Sequence, residues 1–301
     1  MLIFDGHLDL AYNALFHRRD LTKPVRELRE REDPCPLGPS HPDSLRERKR
    51  GESPARGTAT VAFPEMRKGQ IGIFMSTIMA RVQVSNHQLD DGMRTQQAAH
   101  AIGQSHLHYY KALQEEGHLR FITDIDSLNQ ITAEWEKPQN TTPFGLILSM
   151  ESADPILDPN QVEWWFQQGL RSVSPMHFGA NTFGHGTGTR GGLYACIYPL
   201  LDALAETTIA LDLTHASDLS FWQLLDYWKG PVHASHCMCR ALVAGQRHLS
   251  DEMIRAIIDR QGVIGIVFAE FMLNPEIDFD DPSSYSHTAR RTMNAAIDHI
   301  D

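Results

Sequence analysis

Cysteine is scarce in this sequence, with four among 301 residues. None of the spacings is that of a zinc ribbon. The Cys-x-Cys pair at 237 and 239 is a poor geometry for a disulfide. A disulfide framework is therefore disfavoured, and we expect reduced thiols in a cytosolic protein. The four residues are Cys35, Cys196, Cys237 and Cys239.

Long apolar runs are also absent, and acidic residues outnumber basic ones. No window of about 18 consecutive apolar residues occurs, so we expect no transmembrane helix. The N-terminus has no signal-peptide pattern, and the first candidate ligand at residue 7 leaves no room for a removable leader. With 27 basic and 38 acidic residues, the formal charge of −11 disfavours nucleic-acid binding. We predict a cytoplasmic protein that binds neither nucleic acid nor membrane.

Two common functional motifs are absent as well. No Gly-x-Ser-x-Gly elbow is present, which disfavours a serine hydrolase. The segment "GHGTGTRGG" at 184–192, here named the glycine-rich loop, fits neither a Walker A motif nor the dinucleotide fingerprint. We interpret it as a mobile loop.

Seven short apolar runs predict strands. They are continuous rather than alternating, which is typical of a parallel sheet buried on both faces. Helix-like stretches lie between them, and Ser250 is a predicted N-cap. This alternation predicts an α/β fold with parallel strands, as a barrel or a doubly wound sheet. The predicted strands are 2–5, 71–80, 144–150, 171–176, 208–213, 231–235 and 262–268, and the helices 93–116, 161–169, 197–206, 217–228 and 250–260.

Residues 17–57 differ from the rest of the chain. This stretch holds 11 of the 27 basic residues and is rich in proline. It predicts a long loop insertion with one short charged helix, "PVRELRERE". The insertion is either a solvated surface segment or a rim beside the functional site, because it directly follows the first strand.

Candidate metal ligands follow five of the predicted strands. In parallel α/β folds the site lies at the carboxyl ends of the strands. Taken singly, each residue has a structural explanation, such as a helix cap or a packed core histidine. Of the two histidines in "HASH", His233 and His236 point to opposite faces, and the one nearer the strand end is favoured. The candidates are His7, Asp9, Glu151, His177, His215 and His236.

The chemistry of this set favours zinc or a similar divalent ion. It contains imidazoles and carboxylates but no thiolate. A glutamate can bridge two metals, and two metals about 3.5–4 Å apart can activate one water between them. The natural reaction is hydrolysis of an amide or an ester.

The ordered motifs resemble the membrane (renal) dipeptidase family of the amidohydrolase superfamily. "FDGHLDL" is similar to the Asp-Gly-His-Asn-Asp-Leu signature, and "FPEMRKGQIGIFMS" to the Pro-x-Leu-Arg-x-Gly-x-Val-Gly segment. "LSMES" stands where the family has Glu-Gly. "GLRSVSPMHFGANTF", "LDLTHAS" and "ASHCMCRALVAGQRHLSDEMIRAI" match later motifs in order. The resemblance covers nearly the whole chain.

This resemblance implies a (β/α)8 barrel, two zinc ions and a role for each matching residue. His7 and Asp9 would bind one zinc, and His215 and His236 the other. Glu151 would bridge them. His177 would stabilise the oxyanion, and Arg247, eleven residues after His236, would hold the substrate carboxylate. A homodimer is implied by the resemblance alone.

Departures from the family pattern occur at Leu8, Ser152, Cys237 and His248, where the family has Asn, Gly, Ser and Asn. We expect these to alter specificity rather than metal binding. The last barrel strand and its proton-shuttling Asp have no counterpart, although 295–301 resembles the helix before that strand. We expect a single barrel domain over 1–301 that is truncated relative to a longer enzyme. The alternative is a protein that stops here, with two exposed strand edges.

Three functions remain open. The first is a dinuclear-zinc hydrolase that cleaves dipeptides or similar small amides by a metal-bridging hydroxide. The second is an amidohydrolase acting on N-acyl amino acids or lactones. The third is a non-catalytic metal- or peptide-binding relative, because the last strand and its Asp are absent.

Overall fold

The structure is a computed structural model that describes residues 1–32, 59–83, 92–274 and 289–300. Most of the predicted insertion at 17–57, including Cys35, lies outside the described residues. The part that is described contains a charged helix at Val25–Glu32, as predicted. Among the described helices, none is both long enough and apolar enough to cross a membrane.

The chain forms two compact units. The first comprises residues 1–79 and 104–148, and the second residues 80–103 and 149–301. Strand β4 (Phe144–Glu151) begins in the first unit and ends in the second. The predicted single domain over 1–301 stays a prediction.

The strands of the first unit are parallel. Strand β1 (Ile3–Leu8) pairs with β2 (Ile71–Met79), which in turn neighbours β4. A short strand, β3 (Leu119–Phe121), pairs with the start of β4. The interior of β2 is buried without alternation, which is the pattern of a strand covered on both faces.

Helices accompany these strands, and local sequence explains where several of them begin. In α5, the Asp124 carboxylate accepts a hydrogen bond from the Ser127 amide at 2.7 Å, and the Ser127 hydroxyl completes a capping box. Proline at the start of α3 fits a helix N-terminus, where its missing N–H is not needed. The helices are α1 (Leu10–Leu15), α2 (Val25–Glu32), α3 (Phe63–Lys68), α4 (Gln96–Glu115, which extends from the second unit) and α5 (Ile125–Glu136).

An aromatic cluster with a central arginine forms part of the core of the first unit. Phe144 packs against Phe63 and Trp135, with ring centroids 5.4 Å apart in both pairs. The Arg67 guanidinium lies 4.6 Å from the Phe144 ring centroid and donates to the Thr142 carbonyl at 2.9 Å. This arrangement joins α3 to β4 through stacking and a charge-assisted hydrogen bond.

The second unit continues the parallel sheet in chain order. After the end of β4 come β5, β6, β7 and β8, each paired with its predecessor. These strands are short, two to five residues, and the loops after them carry the candidate ligands. The strands are β5 (Leu170–Ser174), β6 (Ala210–Asp212), β7 (Val232–Ala234) and β8 (Val263–Ile264).

The helices of the second unit cover this sheet with apolar faces. In α7, Ile197, Leu200, Leu201 and Leu204 are buried at helical spacing. The predicted cap of α9 is present, since the Ser250 hydroxyl accepts from the Met253 amide at 3.4 Å. The helices are α6 (Val162–Gln167), α7 (Ile197–Ala205), α8 (Asp218–Tyr227), α9 (Asp251–Asp259), α10 (Glu270–Leu273) and α11 (Ala289–Asp298).

Each predicted strand coincides with an observed strand, but the later strands are shorter than predicted, the last most of all. The run 262–268 forms a strand only at Val263–Ile264. Gly265 continues the backbone pairing, and then the Val267 amide meets the Met238 sulfur at 3.4 Å instead of a strand carbonyl. Apolar content predicted the run but not the end of the hydrogen-bond ladder. Strand β3 and helices α1, α3, α5 and α10 were not predicted.

Candidate metal centre

Four predicted ligands of the second unit lie together at the ends of consecutive parallel strands. Glu151 ends β4, and His177, His215 and His236 follow β5, β6 and β7. Glu151, His215 and His236 are at least nine-tenths buried. We name these four residues the histidine–glutamate cluster. The Glu151 Oε1 atom lies 3.0 Å from His215 Nε2, 3.5 Å from His236 Nε2 and 3.6 Å from His177 Nε2.

The cluster fits a divalent cation. The Nε2 atoms of His215 and His236 are 3.2 Å apart. Two nitrogen ligands at about 2.0–2.1 Å on a tetrahedral zinc ion would be separated by about 3.4 Å, which is close to this distance. The ligand atoms of Glu151, His177 and His215 all lie within 4.8 Å of one another. Imidazole nitrogens and a carboxylate are also ligands that zinc accepts.

A buried aspartate hydrogen-bonds to both of the loops that carry His215 and His236. Asp212, at the end of β6, accepts from the Thr214 amide at 3.0 Å and from the Ser235 amide at 3.1 Å. Burial by itself raises the pKa of this carboxyl, but His233 and these hydrogen bonds bring the pKa below its usual value. Asp212 is therefore a fixed anion that joins the ends of β6 and β7.

His233 lies apart from the cluster, as its position on the strand predicts. Its Nε2 atom is 2.7 Å from the Ser172 hydroxyl. Strands β5 and β7, which lie on either side of β6, are thereby linked by side chains.

The peptide after Glu151 adopts an unusual backbone conformation. Ser152 has a φ of 75°, in the left-handed region that favours glycine. Its hydroxyl donates to Asp154 Oδ2 at 2.6 Å, and Asn181 Nδ2 donates to the same carboxylate oxygen at 3.2 Å. Burial raises the pKa of Asp154, and amides from Val82 and Thr182 also donate to it. This network fixes the chain immediately beyond Glu151.

The two remaining predicted ligands lie side by side in the first unit. His7 Nε2 and Asp9 Oδ2 are 3.5 Å apart. Leu8, between them, is held by its carbonyl, which accepts from the Ser76 hydroxyl of β2 at 2.7 Å. The strand geometry thus brings the imidazole and carboxylate together, as the His-x-Asp spacing predicts.

Arg247 is anchored to the segment that follows β7. Its Nη2 donates to the His236 carbonyl at 2.9 Å, and its Nη1 lies 3.5 Å from the Cys237 sulfur. Burial raises the pKa of Cys237, although Arg247 opposes this shift. The guanidinium is therefore fixed beside a cluster histidine, and an arginine has five N–H donors to share.

The glycine-rich loop is held by backbone hydrogen bonds rather than left loose. The Gly186 amide donates to the Gly179 carbonyl at 2.8 Å, and the Gly179 amide donates to the Thr187 carbonyl at 2.9 Å. The Thr187 amide contacts the carbonyls of His177 at 3.0 Å and His215 at 2.8 Å. Thr187 was not predicted from the sequence. The regular spacing of glycines at 184, 186 and 188 is the signal that could have indicated close backbone packing.

Fold and site together define an α/β protein with a candidate metal-binding cluster at the ends of its strands. The chain matches the description "Membrane dipeptidase (Peptidase family M19)" over residues 1–301. It therefore belongs to the membrane dipeptidase family, and the predicted resemblance is confirmed.

Two curated proteins match this chain at 24% and 29% identity. A protein from Acinetobacter calcoaceticus, "Uncharacterized protein in PQQ-III 3'region", is 24% identical over 168 residues, 53% of this chain and 51% of that protein. A Klebsiella pneumoniae protein, "Uncharacterized protein in pqqA 5'region", is 29% identical over 120 residues, 37% of this chain and 44% of that protein. The chain spans about half the length of the curated relatives it matches.

Solved structures show the fold. A metallopeptidase from Rhodobacter sphaeroides, liganded with a phosphinate mimic of the dipeptide L-Ala-D-Ala, matches with a TM-score of 0.69 at 18% identity, covering 100% of this chain and 83% of that one. The dipeptidase AC of family M19 gives 0.68 at 19%, covering 100% and 81%. The probable dipeptidase PvdM from Pseudomonas aeruginosa gives 0.63 at 17%, covering 94% and 78%.

These likenesses confirm the predicted fold class. The strands that pair in chain order, β1, β2 and β4 to β8, follow a (β/α)8 barrel without its last strand, within the residues that the structure describes.

Proposed function

We propose that this protein is a dinuclear-zinc dipeptidase that hydrolyses the amide bond of dipeptides or similar small amides. The observation that carries the proposal is the convergence of three imidazole Nε2 atoms on one oxygen of Glu151, at 3.0–3.6 Å. This convergence occurs in a member of the membrane dipeptidase family. The dipeptide mimic bound by the Rhodobacter sphaeroides neighbour supports dipeptides as the substrate class.

The proposed ligands follow the family resemblance. Glu151, His215 and His236 hold one cation, and their mutual distances support this assignment. The resemblance assigns a second cation to His7 and Asp9, whose ligand atoms are 3.5 Å apart, and the bridging role to Glu151. Zinc held by these residues would lower the pKa of a bound water and polarise a carbonyl, which is the chemistry that amide hydrolysis at neutral pH requires.

His177 is the proposed oxyanion-stabilising residue. Its Nε2 lies 3.6 Å from Glu151 Oε1, so the imidazole is beside the proposed cation. A hydrogen bond from an imidazole N–H to the developing oxyanion contributes about 10²- to 10³-fold in rate. We assign this donor role to His177 and expect its loss to lower kcat.

Arg247 is the proposed partner of the substrate carboxylate. One guanidinium N–H group is engaged by the His236 carbonyl at 2.9 Å, which leaves others for a bidentate pair. This anchor ties the carboxylate-binding group to the chain that carries a metal ligand. Loss of Arg247 is expected to raise KM for dipeptides with a free carboxylate more than for amidated ones.

The decisive experiment compares Glu151→Gln with Glu163→Gln. Glu163 is an exposed residue of α6 that bonds Gln167, so it controls for the loss of one carboxylate. We expect about two zinc ions per wild-type chain by plasma mass spectrometry, unchanged in Glu163→Gln and reduced in Glu151→Gln.

Hydrolysis of L,L- and L,D-dipeptides is measured on the same samples. We expect turnover by the wild type and the control, and loss of turnover in Glu151→Gln. Full metal content with wild-type turnover in Glu151→Gln overturns the proposal. Metal binding without turnover in the wild type overturns the hydrolase and leaves a binding protein. Turnover of N-acyl amino acids or lactones alone overturns the substrate class.

A further inference from the structure

The glycine-rich loop brings one side-chain hydroxyl to the histidine–glutamate cluster. The Thr187 hydroxyl lies 3.2 Å from His215 Nδ1 and 3.3 Å from the His215 carbonyl oxygen. The Nδ1 atom is on the side of the ring opposite to Nε2, which faces Glu151 at 3.0 Å. Thr187 therefore contacts a proposed ligand on the side away from the cation.

The hydrogen-bond roles of this hydroxyl follow from its two neighbours. A threonine hydroxyl has one hydrogen to donate and two lone pairs that accept. A carbonyl oxygen only accepts, so both contacts are hydrogen bonds only if the hydroxyl hydrogen goes to the His215 carbonyl. The contact to His215 Nδ1 is then satisfied when Nδ1–H donates to the Thr187 oxygen. That tautomer leaves a lone pair on Nε2, as a metal ligand requires.

The backbone of the loop is built to hold Thr187 at this place. Its amide donates to the carbonyls of both His177 and His215. A Cβ on Gly186 would lie 1.8 Å from the His177 carbonyl oxygen, so a side chain there is incompatible with the approach. The loop thus packs directly against the chain segments that carry two cluster histidines.

The side-chain amide of Gln246 hydrogen-bonds to the other side of the loop. Gln246 Oε1 accepts from the Gly188 amide at 2.7 Å, and its Nε2 donates to the Thr189 carbonyl at 2.6 Å. Gln246 directly precedes Arg247, the proposed carboxylate-binding residue. The position of Thr187 is therefore fixed from both sides by hydrogen bonds to the backbone.

We propose that Thr187 is a positioning residue that holds His215 in the Nδ1–H tautomer and directs its Nε2 lone pair towards the cation. The inference rests on the proposed function for the identity of the cation. Partners of this kind orient metal-binding histidines, and their loss typically weakens metal affinity by about 10- to 100-fold.

Three variants of the full chain test this role. Thr187→Val keeps the shape and removes the hydroxyl. Thr187→Ser keeps the hydroxyl and serves as the conservative rescue. Thr189→Val is the matched control, because Thr189 is in the same loop and its hydroxyl donates only to the Gly186 carbonyl, at 2.6 Å, among the described contacts.

The first readout is zinc affinity of the chelator-stripped protein, measured by competition with a chelating dye. We expect Thr187→Val to bind about 10- to 100-fold more weakly, with Thr187→Ser and Thr189→Val close to wild type. Thermal midpoints in chelator check that the variants remain folded. Equal weakening in Thr187→Val and Thr189→Val, or wild-type affinity in Thr187→Val, overturns the inference while the proposed function stands.

The second readout is the Nδ1–H proton of His215 in the zinc-loaded protein, from ¹H–¹⁵N spectra of histidine-labelled chain. We expect this proton to exchange slowly with solvent in the wild type and in Thr187→Ser, where a hydroxyl oxygen accepts it, and faster in Thr187→Val. Equal exchange in the wild type and in Thr187→Val overturns the inference while the proposed function stands. A wild type that binds no zinc refutes the proposed function, on which the inference rests.

Discussion

Replacing Ser152 by alanine and by glycine separates two effects that oppose each other at one buried residue. The side chain is fully buried, and its hydroxyl donates to Asp154 at 2.6 Å. The backbone φ of 75° lies in the left-handed region. The hydroxyl stabilises the fold through a hydrogen bond, whereas the Cβ destabilises it through backbone strain. The pattern of the membrane dipeptidase family has glycine where this chain has Ser152.

The two magnitudes can be worked out from these contacts. A hydrogen bond to a charged group contributes about 1.5–3 kcal/mol, and Ser152→Ala loses it while keeping the strain. Ser152→Gly loses the same bond but relieves about 1–2 kcal/mol of left-handed strain. We therefore expect alanine to be the less stable variant by about 1 kcal/mol, with both below the wild type.

The assay is thermal unfolding of the zinc-free chain in chelator, which removes any contribution from bound metal. A difference of about 1 kcal/mol corresponds to roughly 2 °C in the midpoint for a chain of this size. Asn181→Ala serves as a second probe of the network, because Asn181 donates to Asp154 at 3.2 Å without a strained backbone. Glycine less stable than alanine, or alanine as stable as the wild type, refutes the reasoning.

Three further predictions concern stability. Burial and nearby cations lower the pKa of His248 to about 4. The unfolded chain takes up this proton near pH 6.5, so the free energy of unfolding decreases as the pH falls from about 6.5 to about 4, by at most about 1.4 kcal/mol per pH unit. We expect His248→Asn to flatten this pH dependence in urea unfolding. Glu32→Gln breaks the buried pair with Arg19 (2.7 Å) and is expected to lower the free energy of unfolding in urea by about 3–5 kcal/mol, so an unchanged value contradicts the prediction. Gly186→Ala should lower the thermal midpoint far more than Gly188→Ala, because its Cβ would meet a carbonyl at 1.8 Å, whereas a Cβ on Gly188 meets nothing within 4 Å.

The strands and their terminal ligands were predictable because each signal is local. A continuous apolar run predicts a strand buried on both faces, and β2 is such a strand. In a parallel sheet the carboxyl ends share one edge, so Glu151, His177, His215 and His236 had to converge if the order of strands was right. The shared edge follows from topology, whereas the Nε2 distances to Glu151 depend on the loops that carry the histidines.

Short elements were harder to predict, because tertiary contacts decide them. Strand β3 has three residues, too few for a periodic signal, and exists because Leu119 pairs with Phe144. Helix α3 is six residues long and depends on Arg67, whose guanidinium stacks on Phe144. Isolated helices of this length are unstable in water, so local propensity alone does not indicate them.

The glycine-rich loop could be located from the sequence, but its packing could not be predicted from it. Glycine lowers local stability when nothing contacts it, and on that ground a run of glycines indicates mobility. The same lack of a side chain permits the closest backbone approach, and here Gly186 lies against the chain of His177. Which of the two holds depends on partners distant in the sequence, among them Gln246, 58 residues from Gly188. The Thr187 hydroxyl contacts His215 Nδ1 only because this packing brings the loop to the cluster. Its positioning role could therefore be inferred from the structure but not from the motif.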